Sequence, residues 1–188
     1  MATQRDLFGE PPAIPGLLSV EDAVDAALEA RLIALIDAAP LEPFKFGQWQ
    51  GKRLTANYGS GYDYQRGRTT DEPPLPQWLL GLRERLAPLA GLEALSLQQA
   101  LVIRYDPGAG IGWHRDRPQY GDVVGLSLGA PATMRFRRRT DEGGWDRRAV
   151  PLPPRGLYRL SGEARHGWEH SIAPMSEKRW SVTFRTLA

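Results

Sequence analysis

From Gly91 onward the chain is written in short stretches with a period of two. Residues 96–105, 122–128, 132–138, 149–152, 156–160 and 180–187 each read as a strand, with Gly or Pro between most of them. In 132–138, Met134 and Phe136 alternate with Arg135 and Arg137, so one side of the strand is apolar and the other charged. In 122–128 no charge follows Asp122, as a strand covered on both sides requires. Two stretches earlier in the chain carry helical spacing. In 19–39, Leu28, Leu32, Leu35 and Ile36 form the stripe, and Ser19 or Glu21 is the expected opening residue. In 77–89, Trp78, Leu79, Leu82, Leu86 and Leu89 do the same. Helices first and six or more short strands after them predict a mainly β domain: a sandwich, jelly roll or barrel with helices packed outside.

At 188 residues the chain is expected to form one domain with a sizeable core. It has no cysteine, which excludes disulfides, thiolate catalysis and Cys-ligated zinc or iron–sulfur sites. The first residues lack the layout of a secretory signal, and no stretch reaches the apolar length of a membrane span, so a cytoplasmic location is expected. Net charge is only +2. Lysine occurs only at Lys45, Lys52 and Lys178, so arginine supplies nearly all the positive charge. Arginine suits two-pronged contacts to carboxylate and phosphate.

Residues 1–16, with Pro11, Pro12, Pro15 and Gly16, read as a loosely ordered lead-in. Residues 44–49 and 53–58 read as strand pieces. The aromatic run from Tyr58 to Tyr64 and the polar 65–72 then form the tip of a hairpin.

Chemistry is concentrated around His114-Arg115-Asp116. A His and an Asp two apart on an extended segment point to the same side, so an imidazole nitrogen and a carboxylate oxygen can share one metal ion. A second His would complete the two-His-one-carboxylate face of non-haem Fe(II) oxygenases. Only His166 and His170 are available. Their spacing of four would suit a helix, but Gly167 and the strand-like 171–174 argue against one. His170, which leads into the segment before the last strand, is the preferred third ligand.

That last strand alternates cleanly. Arg179, Ser181, Thr183 and Arg185 share one face, and Trp180, Val182 and Phe184 share the other. A solvated polar face is the ordinary reading. Two arginines on a small hydroxylated face also make a dicarboxylate site. Tyr105, on another strand with Ile103 and Leu101, could donate a hydroxyl to the same ligand.

These segments resemble the AlkB-type Fe(II)/2-oxoglutarate-dependent dioxygenases from about Gly51 to the C-terminus. The carriers are 104–116 with its Pro-Gly turn and HxD, 123–129, 161–174 with the distal His, and the double-arginine strand 179–185. The resemblance implies an α+β, mainly β fold: a double-stranded β-helix (jelly roll) core over about 96–188, with N-terminal helices packed outside. It also implies a nucleotide-recognition lid over about 45–72. It assigns His114, Asp116 and His170 to Fe(II). Arg179 is assigned to the distal carboxylate of 2-oxoglutarate, Arg185 to its metal-binding end, and Tyr105 and Ser181 to the same cosubstrate. O2 is the second cosubstrate. Two residues depart from the pattern, because the family often has Asn where this chain has Ile103 and Ser181. The implied reaction decarboxylates 2-oxoglutarate to succinate and CO2 and hydroxylates a nearby C–H bond, so that an N-methyl leaves as formaldehyde.

The implied substrate is alkylated DNA or RNA, with no membrane and no obligate protein partner, the chain acting as a monomer. In the lid, Trp49, Tyr58, Tyr62 and Tyr64 are candidates to stack on an extruded base, and Lys52, Arg53, Arg66 and Arg68 to meet phosphates. Trp49 and Tyr58 equally suit a hairpin core. A second basic run, Arg135 to Arg139 with Arg147 and Arg148, reads chiefly as a solvated strand and turn. Two other functions fit the same residues: a dioxygenase acting on a protein or small molecule, and a nucleic-acid-binding module with an inactive metal site.

Overall fold

The computed structural model describes residues 14–46, 49–59, 61–63, 68–70 and 72–188. A short strand β1 (Leu17–Val20) precedes helix α1 (Ala26–Asp37). Next come β2 (Glu42–Phe46), β3 (Trp49–Gly59), the small pair β4 (Gly61–Asp63) and β5 (Arg68–Thr70), and helix α2 (Gln77–Leu89). The second half holds β6 (Leu97–Tyr105), β7 (Ile111–His114), β8 (Tyr120–Gly129), β9 (Ala132–Arg139), β10 (Trp145–Leu152) and β11 (Leu157–Leu160). Helix α3 (Gly162–His166), β12 (Glu169–Ile172) and β13 (Arg179–Leu187) complete it.

The strands form a seven-stranded antiparallel sheet in the order β1-β11-β8-β13-β6-β3-β2 and a four-stranded one in the order β10-β9-β12-β7. This is the jelly-roll arrangement expected, with two sheets enclosing a core. Period two explains how the large sheet has two cores. One face of β6, β13 and β8 turns Ala100, Val102, Val124, Leu126, Val182 and Phe184 toward α1 and α2, where Leu32, Ile36, Leu79, Leu82 and Leu86 meet them. The other face turns Leu101, Ile103, Tyr105 and Val123 toward Met134, Phe136 and Ile172 of the small sheet. Both faces of β13 are therefore covered, its polar one included.

Four features differ from the sequence reading. Residues 17–20 form a strand, because Leu17 pairs with Leu160 and Val20 with Leu157 at the edge of the large sheet. Helix α1 therefore opens later than Ser19 or Glu21. Its cap is Asp25, whose carboxylate accepts the Leu28 N–H at 2.7 Å. Residues 14–16 are tied down: Ile14 is fully buried, and the carbonyls of Pro15 and Gly16 accept the N–H groups of Ala164 and Ser161. The remainder of the expected lead-in lies outside the described residues. The extended stretches around His114 and 171–174 become the short strands β7 and β12; β12 starts earlier than the strand-like 171–174, and the two pair with each other at His114 and His170.

Asp37, at the end of α1, accepts the Trp180 indole N–H at 2.9 Å and pairs with Arg104 at 3.2 Å, which pins the helix to β13 and β6. Gly125 on β8 lets the Tyr158 ring lie flat across the strand, since a Cβ there would sit 2.2 Å from the ring. Gly125→Ala is expected to cost about 1–3 kcal/mol by overpacking, read as a lower urea midpoint. Gly112→Ala, whose Cβ would meet open space, should stay within about 0.5 kcal/mol of the parent.

Candidate active site

Three elements deliver the metal-type side chains to one spot. His114 ends β7, Asp116 follows two residues later, and His170 lies directly across the β7–β12 pair from His114. The two imidazole centroids are 4.3 Å apart, and His170 Nε2 lies 3.6 Å from Asp116 Oδ2. One donor atom from each residue can be chosen so that all three lie within 4.8 Å of one another. His114 Nδ1 is 2.9 Å from the Gly112 carbonyl, a contact that needs the proton on Nδ1 and frees Nε2. His166 ends α3 and is exposed, away from this cluster.

Charge sets the protonation states. Burial pulls the His170 imidazole down to about 3, with His114 adding to the effect. Burial also lowers His114, and there the Gly112 hydrogen bond and Asp116 oppose it. Both rings are neutral at neutral pH, as metal ligands must be. For Asp116, burial favours the neutral acid, but Arg185, His170 and His114 outweigh it and hold the carboxyl well below its usual range. Arg185 grips only one side of this carboxylate: its Nε and Nη2 donate to Oδ1 at 2.9 and 2.8 Å. Oδ2 is left facing the histidines.

Beside this cluster opens a cavity of about 860 Å³. The polar face of β13 forms its floor. Arg179 is 1% exposed, donates from Nε to the Ser127 hydroxyl at 3.0 Å, and leaves Nη1 without a partner. Its guanidinium lies over the Tyr105 ring, 5.0 Å from the centroid. Ser181 and Ile103 face each other across β13 and β6. This chain thus offers a hydroxyl and an aliphatic group where the resembling family often has two amides. Arg185 is braced from behind by Gln99 Oε1 at 2.7 Å. Arg165, buried, donates to the carbonyls of Arg117, Tyr120 and Gly121 and so holds the loop that follows Asp116.

Two imidazoles, a carboxylate with one oxygen turned toward them, and two buried arginines on a hydroxylated floor fit an iron ion and a dicarboxylate. Gln99, Ser127, Tyr158 and Arg165 were not among the residues singled out in the sequence. Only Ser127 had a usable signal, as the one polar residue after Asp122 in an otherwise apolar strand. Tyr158 reaches the cavity by crossing Gly125, and burial pushes its hydroxyl up to about 12, so it stays a hydrogen-bond donor.

The lid residues fare unevenly. Tyr58 is 7% exposed and packs with Ala56, Ala100 and Val102 in the helix-side core. Period two puts its Cβ on the opposite face of β3 from Arg53 and Thr55, as the hairpin-core alternative requires, while the residue also lines the edge of the cavity. Arg53 is not a surface residue either. It is buried in the cavity under Phe44, whose ring centroid is 4.0 Å from the guanidinium carbon. The backbones of Trp49, Tyr62 and Arg68 lie in β3, β4 and β5, while Tyr64 and Arg66 fall outside the described residues. The second basic run is largely engaged within the fold. Arg135 and Arg137 stack on Trp113, Arg137 and Arg139 on Trp145, and Arg137 pairs with Glu169 at 2.7 Å. Among the described residues no helix is long and apolar enough to cross a membrane.

Comparison with known proteins agrees with this geometry. The family model for the 2OG-Fe(II) oxygenase superfamily matches residues 19–185. The Arabidopsis thaliana alkylated DNA repair protein ALKBH8 homolog is 31% identical over 85% of this chain and 51% of its own length. The human alpha-ketoglutarate-dependent dioxygenase alkB homolog 4 is 27% identical over 98% of this chain and 71% of its own. The Xenopus tropicalis tRNA (carboxymethyluridine(34)-5-O)-methyltransferase alkbh8 is 30% identical over 87% of this chain, which spans only 26% of that protein. The chain thus spans half or less of several curated relatives it matches. Among solved structures, OsALKBH1 superposes with a TM-score of 0.66 at 16% identity, covering 92% of this chain and 98% of that one. A Pseudomonas putida prolyl-4-hydroxylase superposes with a TM-score of 0.59 at 17% identity over 92% of each chain, a likeness of fold. The requirements of that superfamily are Fe(II), 2-oxoglutarate and O2, and the His-Asp-His cluster beside two buried arginines matches them. The chain belongs to the 2OG-Fe(II) oxygenase superfamily and is AlkB-like within it.

Proposed function

We propose that this chain oxidatively demethylates alkylated bases in DNA or RNA. The observation that carries the reading is the His114–Asp116–His170 cluster set beside a cavity floored by Arg179 and Arg185. Iron with 2-oxoglutarate and O2 supplies the oxidation of a C–H bond when bound. The rest is work for the chain's own residues. His114, Asp116 and His170 hold the iron. Arg185 keeps Asp116 ionised and turned, with Oδ2 toward the two histidines that would share the iron with it. Arg179 receives the distal carboxylate of 2-oxoglutarate, helped by the Tyr105 hydroxyl and Ser181. The apolar walls, Ile103 and Met134 among them, exclude water from the reacting carbon.

The nucleic-acid part of the reading rests on likeness. The names of the Arabidopsis and Xenopus relatives speak of DNA repair and of tRNA. The aromatic and arginine-rich 45–72 segment has the composition of a base-stacking lid, with Trp49, Tyr62, Tyr64, Arg66 and Arg68 as its candidate contacts. The chain is read as a single domain whose core spans about 96–188.

The test is incubation with Fe(II), 2-oxoglutarate and a panel of methylated DNA and RNA oligonucleotides, read by mass spectrometry for methyl loss and by succinate release. Demethylation of at least one oligonucleotide is expected. Succinate without any demethylation would move the reading to a protein or small-molecule substrate, and absence of both would sink it. His114→Ala should lower turnover by more than the roughly 100-fold that loss of an outer-shell partner costs. Arg179→Leu should raise KM for 2-oxoglutarate by roughly 30-fold, the equivalent of about 2 kcal/mol for a lost charge-assisted contact.

A further inference from the structure

Tyr158 brings to the cavity a hydroxyl to which the mechanism gives no work. The strand registers fix its place. Tyr158 of β11 stands opposite Gly125 of β8, and Gly125 stands opposite Thr183 of β13. On β13 that row falls between the rows of Ser181 and Arg185. Tyr158 and Thr183 both line the cavity, as Arg179, Ser181 and Arg185 do. Strand β8 gives the ring its seat. A Cβ on Gly125 would sit 2.2 Å from the ring and 2.4 Å from the hydroxyl oxygen. Any side chain there would displace the hydroxyl, and glycine lets it lie across β8 toward β13. The floor between the two arginines of β13 has few other donors of any reach. Ser181 and Thr183 carry hydroxyls on short stems, and Ile103, opposite Ser181, carries none.

The hydroxyl does not hold the fold together. Tyr158 is 8% exposed. Its neighbouring hydroxyl, Thr183, favours the phenolate and so donates to the Tyr158 oxygen. The phenolic hydrogen is left without an acceptor among the described residues. A buried donor without a partner is destabilising, and phenylalanine would fill the same space without one. Arg179 Nη1 is a second unpaired donor in the same cavity, and of the charges that act on Tyr158 that of Arg179 is the largest. Two donors in this state on one floor suit an anionic acceptor that arrives from solution.

We propose that Tyr158 is a cosubstrate-binding residue whose hydroxyl donates to a carboxylate of 2-oxoglutarate, with Gly125 as the seat that lets it reach from the neighbouring strand. The inference rests on the reading of this cavity as the 2-oxoglutarate site and is independent of which substrate is oxidised.

The test uses the full chain loaded with Mn(II), which does not support turnover. 2-Oxoglutarate and pyruvate are titrated by calorimetry into wild type and Tyr158→Phe, and the urea midpoint of each protein is recorded. Tyr158→Phe is expected to bind 2-oxoglutarate about tenfold more weakly, with Mn(II) affinity and the urea midpoint unchanged. Pyruvate has the 2-oxo acid but no distal carboxylate. A matching loss for pyruvate assigns the hydrogen bond to the metal-binding carboxylate, and an unchanged pyruvate affinity assigns it to the distal one. Binding of 2-oxoglutarate at wild-type strength by Tyr158→Phe would overturn the proposal. So would a lowered urea midpoint, which would make the hydroxyl a structural group, or weakened Mn(II) binding, which would make the loss a general one. Wild type that fails to bind 2-oxoglutarate with Mn(II) would instead sink the dioxygenase reading itself.

Discussion

The site hangs on one buried ion pair. Arg185 rises from β13 in the large sheet, and Asp116 follows β7 at the edge of the small one. Their contact crosses the gap between the sheets at the point where a metal would sit. An isolated carboxylate at that depth would take a proton, and the guanidinium prevents it. Because Arg185 takes Oδ1 from behind, it also decides which oxygen the histidines see. Gln99 then fixes Arg185, so the geometry of a donor atom on one sheet is set by a side chain two strands deep in the other. Breaking such a pair on one side leaves a buried charge unmatched, which is why the rest of the cavity depends on it.

Strand β13 makes that possible. A strand with polar residues on one face normally shows that face to water. Here both faces are covered, one by helices and one by the small sheet, and the polar face becomes the floor of a cavity. The alternation serves stability on one side and chemistry on the other, with no residue asked to do both. Trp180, Val182 and Phe184 hold the helices, while Arg179, Ser181, Thr183 and Arg185 furnish the site.

Legibility followed the strength of the period. Strands β9 and β13 and helix α2 were readable because each carries several alternations or turns of consistent apolar spacing, and β6 and β8 because each holds a run of mostly apolar residues. Residues 17–20 were not, because four residues with two leucines at the start hold no period. They become a strand only because β11 offers them a partner. Strands β7 and β12 are equally short, and although both stretches read as extended, nothing in their spacing says that they pair and set the two histidines side by side. In the cavity, the charged residues in motifs stood out, and the bracing residues Gln99, Ser127 and Arg165 did not. Their importance is a matter of distance to another side chain, which spacing along the chain does not encode.

The sequence by itself determined the class of chemistry. His114, Asp116 and His170 with two arginines on a strand of period two specify a donor set and a dicarboxylate floor through residue type and alternation, both local properties. Only the tertiary structure decided which residues share the cavity. Tyr58 and Arg53, five apart on one strand, were grouped together as lid residues. The pleat turns Tyr58 toward the helix-side core, at the cavity's edge, and Arg53 into the cavity beside Tyr105. Which face of β3 meets helices and which meets the small sheet depends on what packs against it, and that is settled by residues far away in the chain.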